Sequence, residues 1–196
     1  KSNQKNTIYN IYEKPPRVGN IQTRPLNPKD FFTTVWHKVH DNSISLDVIP
    51  SRLEVYETLR NPSAKEYLLD KFLQLHAQKY DYIFIDCPPT PSVLTLSAFA
   101  ASDYVIIPLT PDYFASFGLP QFLGTLYEFK NDLVDAHDVQ PLGVVFTNVP
   151  RTVTDDVLRA IDRVTATLST QAKSIKVFNA RLSHYQVFQK TLWQSK

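Results

Sequence analysis

The sequence is poor in cysteine and glycine, two residue types that shape many functional sites. Cys87 is the only cysteine among 196 residues, which excludes an intrachain disulfide and a zinc site built on several cysteines. Only four glycines are present, against fourteen prolines, so most turns must be set by the fixed φ of proline rather than by left-handed glycine. A glycine-rich loop that cradles phosphate groups therefore has no candidate in this sequence.

Long apolar runs and a strong net charge are also missing. The longest apolar runs, such as Tyr104 to Ile107, fall far short of the roughly 20 residues that a membrane-spanning helix needs, so we expect a soluble protein. The single cysteine suits a reducing cytoplasm. The formal net charge is +2, but from Arg163 to Lys196 there are six bases and no acid. Such a cationic segment can bind the phosphates of nucleic acid or anionic lipid, or it can be an ordinary solvated edge.

Short apolar segments that alternate with helical patterns predict an α/β fold with a mostly parallel sheet and helices on both faces. The predicted strands are Leu46–Ile49, Tyr82–Asp86, Tyr104–Ile107, Leu142–Thr147 and Ser174–Phe178. Helices are predicted at Lys29–His40, Ser92–Ala101, Ala115–Lys130 and Arg181–Trp193, and the third of these should be interrupted near Gly118 and Pro120. A further helix should begin at a capping box formed by Ser63 and Glu66. Another should begin at Asp155 and bury Leu158. The length suits one domain over residues 1–196, with an irregular segment 1–43 and a sheet-and-helix core 44–196.

The most informative motif is the run from Tyr82 to Pro89, in which a predicted buried strand ends at Asp86 and continues into Pro88 and Pro89. In open parallel sheets, ligands collect beyond the carboxyl ends of the strands. A carboxylate there can hold the water shell of Mg²⁺ beside nucleotide phosphates, and the two prolines would restrict a loop that senses the γ-phosphate. The alternative is structural, with Asp86 capping the following turn by accepting hydrogen bonds from backbone amides.

Residues 79–119 carry a family resemblance in the stretch KYDYIFIDCPPTPSVLTLSAFAASDYVIIPLTPDYFASFGL. This stretch closely resembles the ParA/MinD-type partitioning ATPases, which have a deviant P-loop, and the ParA branch most of all. The resemblance extends to Leu46–Ser51 and Gly143–Arg151, and more weakly to Asn179–Phe188. It implies a P-loop NTPase-like fold, ATP and Mg²⁺ as cofactors, a homodimer formed around nucleotide, non-specific DNA binding near the nucleoid, and a ParB-like or other adaptor protein as partner.

The resemblance also implies roles for single residues of a catalytic loop. Asp86 would hold Mg²⁺ through water and would lead into the second switch loop, which runs from Cys87 to Thr90. The candidate catalytic residues are therefore Asp86, Pro88, Pro89 and Thr90.

Nucleotide and DNA contacts are implied in the same way. Asn148 matches the position of a side chain that contacts adenine, with Pro150 against the base, although Asn148 could equally be a turn residue at a strand end. Arg181 falls where ParA relatives place bases that contact DNA. With the other bases of the acid-free segment, it gives the candidate DNA-binding residues Lys173, Lys176, Arg181 and Lys190.

The phosphate-binding loop KGGxGK[ST] of this family has no match in the sequence. We therefore expect the chain to be a fragment of a longer ATPase rather than a protein that has lost its nucleotide site, and we expect no hydrolysis by the chain alone. Two other functions stay open. One is a MinD-like membrane-associated ATPase, with Leu182, Tyr185, Phe188 and Leu192 on an interfacial helix, although core packing is the favoured use of those residues. The other is an interaction module of the same fold without a nucleotide site.

Overall fold

The structure is a computed structural model, which describes residues 6–13, 27–38, 44–88, 90–132 and 138–185. The chain divides into two compact units, an amino-terminal unit of residues 1–101 and a carboxy-terminal unit of residues 102–196. The assignment of the whole chain to a single domain stays a prediction.

The described residues of the amino-terminal unit form three α-helices and a two-stranded sheet. Its elements are α1 (Tyr9–Tyr12), β1 (Thr33–Lys38), β2 (Ile44–Val48), α2 (Leu68–His76) and α3 (Val93–Ala100). Two 3-10 helices add to these, at Pro28–Asp30 and Leu53–Arg60. Tyr12, Val55, Leu69 and Leu94 form a buried apolar cluster that joins the helices.

Strands β1 and β2 form an antiparallel pair, in which Thr34 lies opposite Asp47. The helix predicted at Lys29–His40 is wrong over the described residues, because one 3-10 turn is followed there by β1. The threonines, valine and tryptophan of β1 favour extended backbone, and pairing with β2 satisfies that backbone. With α1 and β1 present, segment 1–43 is not irregular throughout. The strand predicted at Leu46–Ile49 is confirmed as β2, but its partner is antiparallel and outside the parallel sheet.

The segment Tyr82–Asp86, predicted as a buried strand, is not a strand. Tyr82 and Phe84 are 82% and 87% exposed, and only Ile85 packs against the buried cluster of the unit. A strand is defined by a ladder of backbone hydrogen bonds to a neighbour. No strand within the described ranges pairs with this segment. Its apolar composition alone is therefore not enough to make the segment a strand.

Helix α2 begins later than its sequence pattern predicts. Ser63 and Glu66 lie in a turn, where Ala64 has a φ of 58°, and a left-handed residue cannot lie inside a right-handed helix. The helix starts at Leu68 without a side-chain cap, so the capping box is wrong. Helix α3 begins as expected, because the Ser92 Oγ accepts a hydrogen bond from a backbone N–H of the first turn.

In the carboxy-terminal unit, the described residues form a three-stranded parallel sheet with two crossover helices. Its elements are β3 (Tyr104–Leu109), α4 (Ala115–Asp132), β4 (Gln140–Val149), α5 (Asp155–Gln171) and β5 (Lys176–Ser183). The strand order is β3-β4-β5, with both pairs parallel. The prediction of an α/β fold with a parallel sheet flanked by helices is confirmed.

Both crossover helices contribute to the main core of this unit. In α4, Ala115, Leu119 and Leu123 recur every four residues and pack into this core, and the helix continues through Pro120. The predicted interruption is therefore wrong, because tertiary packing outweighs helix propensity. In α5, Leu158 is exposed rather than buried, since it lies beside the stripe that starts at Val157.

The last described strand changes the setting of Arg181. This residue lies in β5, opposite Phe146 of β4, and not in the helix predicted at Arg181–Trp193. Residues 186–196 lie outside the described residues.

Strands β4 and β5 lie close together at Gly143. This glycine pairs with Lys176 in the ladder. A Cβ atom added to it would lie 2.6 Å from the Lys176 carbonyl oxygen and 3.0 Å from the Phe178 ring. The carbonyl oxygen belongs to the backbone and cannot turn away, so the position requires glycine.

Replacing Gly143 with alanine tests this packing. We expect Gly143→Ala to lower the free energy of unfolding by about 2 kcal/mol, as overpacking does, with urea denaturation as the measurement. The matched control is Gly124→Ala in the interior of α4, where an added Cβ meets nothing within 4 Å. We expect the control to raise the free energy of unfolding by about 0.5–1 kcal/mol. A Gly143→Ala variant as stable as the control would contradict the close approach.

Candidate functional site

Asp86 lies on the wall of a cavity of about 1190 Å³ in the amino-terminal unit. Its side chain is exposed, and no described residue forms a hydrogen bond or ion pair with its carboxylate. The capping role that was the alternative for Asp86 is therefore not observed. In the described ranges, no three His, Cys, Asp or Glu side chains are grouped around a metal position. Mg²⁺ needs no such group, because it keeps several waters and often takes a single protein carboxylate, so Asp86 fits this ion.

The segment after Asp86 is fixed to helix α3 by Thr95. The Thr95 hydroxyl lies 2.6 Å from the carbonyl oxygen of Thr90 and 3.2 Å from that of Pro88, and Thr95 is buried. Two residues of the candidate switch loop, Pro88 and Thr90, are thereby tied to the first turn of the helix. Pro89 lies outside the described residues. The sequence pattern gave one signal for Thr95, its place three residues after the cap Ser92.

Cys87 is not arranged as a nucleophile. Although the residue is exposed as a whole, desolvation of its thiol raises the pKa of Cys87, and the neighbouring Asp86 carboxylate raises it further. The thiol therefore stays protonated at neutral pH, whereas a reactive cysteine needs a thiolate.

Asp47 is the second carboxylate on the cavity wall. It accepts hydrogen bonds from the Thr34 hydroxyl at 2.6 Å and the Tyr80 hydroxyl at 2.5 Å, and the Lys79 Nζ lies 3.5 Å away. These hydrogen bonds hold the pKa of Asp47 below its usual value, and the bond from Thr34 has a larger effect than the bond from Tyr80. Unlike Asp86, this carboxylate is 8% exposed and occupied by protein partners, so it stabilises the unit rather than binding a ligand.

The lowered pKa of Asp47 predicts a pH-dependent contribution to stability. Because the folded pKa lies below the unfolded one, the contribution is complete above about pH 4 and is lost as the pH falls through the folded pKa. We expect Asp47→Asn to lower the free energy of unfolding by about 1–3 kcal/mol at neutral pH, and we expect this difference to shrink on acidification. Urea denaturation as a function of pH measures it. Asp81→Asn, at an exposed carboxylate without a described partner, is the control and should change little; equal effects would contradict the assignment.

In the carboxy-terminal unit, Asn148 and His184 meet at the carboxyl ends of β4 and β5. Asn148 has a φ of 55°, a left-handed conformation that asparagine tolerates. Its Oδ1 lies 2.5 Å from the His184 Nδ1, and the His184 backbone N–H donates to the Val149 carbonyl oxygen at 2.8 Å. Asn148 thus has the backbone of a turn residue and an exposed side chain. Pro150 follows it and is exposed too.

A cation–π contact lies beside this pair of side chains. The Arg151 guanidinium is 5.1 Å from the centre of the Tyr185 ring. This carboxyl edge of the sheet therefore presents amide, imidazole, guanidinium and aromatic groups together, whereas the family resemblance predicts only Asn148 and Pro150 there.

The candidate DNA-binding residues do not form one cluster. Lys173, Lys176 and Arg181 are all exposed, and none forms an ion pair with a described acid. Lys173 precedes β5 and Lys176 is its first residue, whereas Arg181 is five residues further along and lies opposite Phe146 rather than Gly143. Lys190 lies outside the described residues.

The membrane-bound alternative depended on an apolar helix face near the carboxyl end of the sequence. Leu182 of that face lies in β5, so a helix does not begin there, and Phe188 and Leu192 lie outside the described residues. No helix in the described part of the chain has the length and apolar character needed to cross a membrane.

A family model described as an AAA domain matches residues 1–139. The chain belongs to this family. It is 41% identical over 85 residues to the sporulation initiation inhibitor protein Soj of Bacillus subtilis (strain 168), which covers 42% of this chain and 34% of Soj. It is 42% identical over 89 residues to the chromosome partitioning protein ParA of Myxococcus xanthus (strain DK1622), which covers 45% of this chain and 31% of that ParA. The resemblance to ParA-type partitioning ATPases is confirmed, and the chain spans about a third of the length of these relatives.

Solved structures show the same fold. Cobyrinic acid a,c-diamide synthase from Mycobacterium smegmatis, with bound ADP and magnesium, superposes with a TM-score of 0.68 at 20% identity, over 92% of this chain and 64% of the synthase. At this identity the likeness establishes the fold alone.

Proposed function

We propose that the full-length protein is a ParA-like ATPase that acts in DNA partitioning or cargo positioning, with ATP and Mg²⁺ as its cofactors. The observation that carries this proposal is the exposed, unpartnered Asp86 carboxylate on a cavity wall, followed by a loop whose Pro88 and Thr90 carbonyl oxygens are held by Thr95. The printed function of the Myxococcus xanthus relative, chromosome partitioning, supports the biological role. The ADP and magnesium bound by the synthase of the same fold support the cofactors.

Each proposed residue has one role. Asp86 holds Mg²⁺ through water, and the loop with Pro88, Pro89 and Thr90 senses the terminal phosphate. Asn148 and Pro150 contact adenine. When bound, Mg²⁺ would neutralise charge that develops on the phosphate oxygens during transfer.

The proposed partners are those of a partitioning system. The protein forms a homodimer around nucleotide, binds DNA without sequence preference, and responds to a ParB-like or other adaptor protein in the cytoplasm at the nucleoid. The exposed bases Lys173, Lys176 and Arg181, without described acidic partners, support DNA binding because phosphates are recognised largely through charge.

Asp86→Ala tests the catalytic part of the proposal. We expect steady-state ATP hydrolysis by the full-length protein to fall by about 10²–10³-fold, the usual cost of losing one electrostatic contact to the reacting group, and the Mg²⁺ requirement to rise. Asp81→Ala, at an exposed carboxylate five residues earlier, is the matched control and should keep wild-type activity. Equal activities of the two variants would refute the role of Asp86. A flat ATP titration of the wild-type protein would instead favour an interaction module without a nucleotide site.

A matched pair of triple variants tests the DNA part of the proposal. We expect the variant with Lys173, Lys176 and Arg181 changed to alanine to bind duplex DNA more weakly, with the slope of log K against log salt reduced by roughly 0.9 per lost phosphate contact. The control carries the same change of charge at exposed bases of the other unit, Lys29, Arg60 and Lys71. Fluorescence anisotropy over a range of salt measures both. Equal losses of DNA affinity in the two variants would show that only the net charge of the protein matters. That result would remove Lys173, Lys176 and Arg181 from the proposal.

A further inference from the structure

We propose that His184 is a positioning residue that fixes the side-chain amide of Asn148 in the orientation that recognises adenine rather than guanine. This inference rests on the proposed function, in which Asn148 contacts the base of the nucleotide.

Both partners of this hydrogen bond are held in place by the backbone. Asn148 lies in β4 directly before the buried Val149, and its φ of 55° sets the direction in which its side chain leaves the strand. His184 is fixed to the same strand, because its backbone N–H donates to the Val149 carbonyl oxygen at 2.8 Å. The hydrogen bond between Asn148 Oδ1 and His184 Nδ1 therefore spans two adjacent strand ends that cannot move apart independently.

The direction of the hydrogen bond determines the direction of the amide. Since Oδ1 is an acceptor, His184 must carry its proton on Nδ1 and donate it. The Nδ2 group of Asn148 then points away from the histidine, and it donates to no described residue. Oδ1 keeps a second lone pair, so the exposed edge of the amide offers one acceptor and one donor in a fixed order.

This order is complementary to adenine. An asparagine amide pairs with adenine by accepting from the N6 amino group and donating to a ring nitrogen. Guanine has the acceptor O6 in place of that amino group. Two acceptors, O6 and Oδ1, would then face each other with no hydrogen between them. A free amide could turn over and donate to O6, whereas an amide held by His184 cannot do so without losing its hydrogen bond.

Two isosteric variants test the inference in the full-length protein. His184→Asn places an N–H donor near the position of Nδ1, and His184→Asp places an acceptor there. We expect His184→Asn to keep the wild-type ratio of ATP to GTP affinity. We expect His184→Asp to lower that ratio by about tenfold or more, because an acceptor draws Nδ2 inward, so that an N–H of Nδ2 instead of Oδ1 meets the N6 amino group of adenine or the O6 acceptor of guanine. Titration with ATP and GTP by calorimetry measures the ratio, and circular dichroism verifies folding.

The outcomes separate this inference from the proposed function. Adenine preference that survives in His184→Asp overturns the positioning role and leaves the ATPase proposal intact. A wild-type protein that binds neither nucleotide overturns both. Nitrogen-15 NMR of the protein without nucleotide gives an independent readout, since we expect the neutral His184 ring to be protonated at Nδ1. A ring protonated at Nε2 alone would refute the inference without reference to nucleotide binding.

Discussion

The parallel ladder that β4 forms with β3 and β5 is the interaction on which the carboxy-terminal unit depends. β4 is the middle strand and is paired along both edges, and its residues Val144 and Phe146 are fully buried. Because the strand is fixed on both sides, one end holds Gly143 against β5 and the other presents Asn148 at the edge where ligands collect. The position of the candidate adenine contact therefore follows from core packing.

The amino-terminal unit depends more on buried polar contacts. Glu13 accepts hydrogen bonds from the Lys65 ammonium group and, at 3.3 Å, from the Thr58 hydroxyl. The Tyr12 hydroxyl donates to the buried Ser97 hydroxyl at 3.1 Å, across 85 residues of sequence. A buried polar group is costly unless it is paired, so these contacts favour one arrangement of the helices over others that would bury as much apolar surface.

The sequence predicted those elements whose cause is local. The cap at Ser92 gives the start of α3, and apolar periodicity gives α5 and the strands of the parallel sheet. It failed for Tyr82–Asp86, because pairing is a property of the neighbour and not of the segment. It also failed for Lys29–His40, where the hairpin with β2 decides the backbone. The contacts of Asp47 and His184 join residues 33 and 36 positions apart, and no short pattern encodes them.

The double contact of Thr95 has a consequence for motion. A single hydroxyl proton serves two carbonyl oxygens, so neither can withdraw without altering the bond to the other. The residues on both sides of Pro89 are therefore coupled through one side chain of α3. Thr95 also donates its backbone N–H to the Ser92 hydroxyl oxygen, so one residue both holds this segment and takes part in the cap of α3.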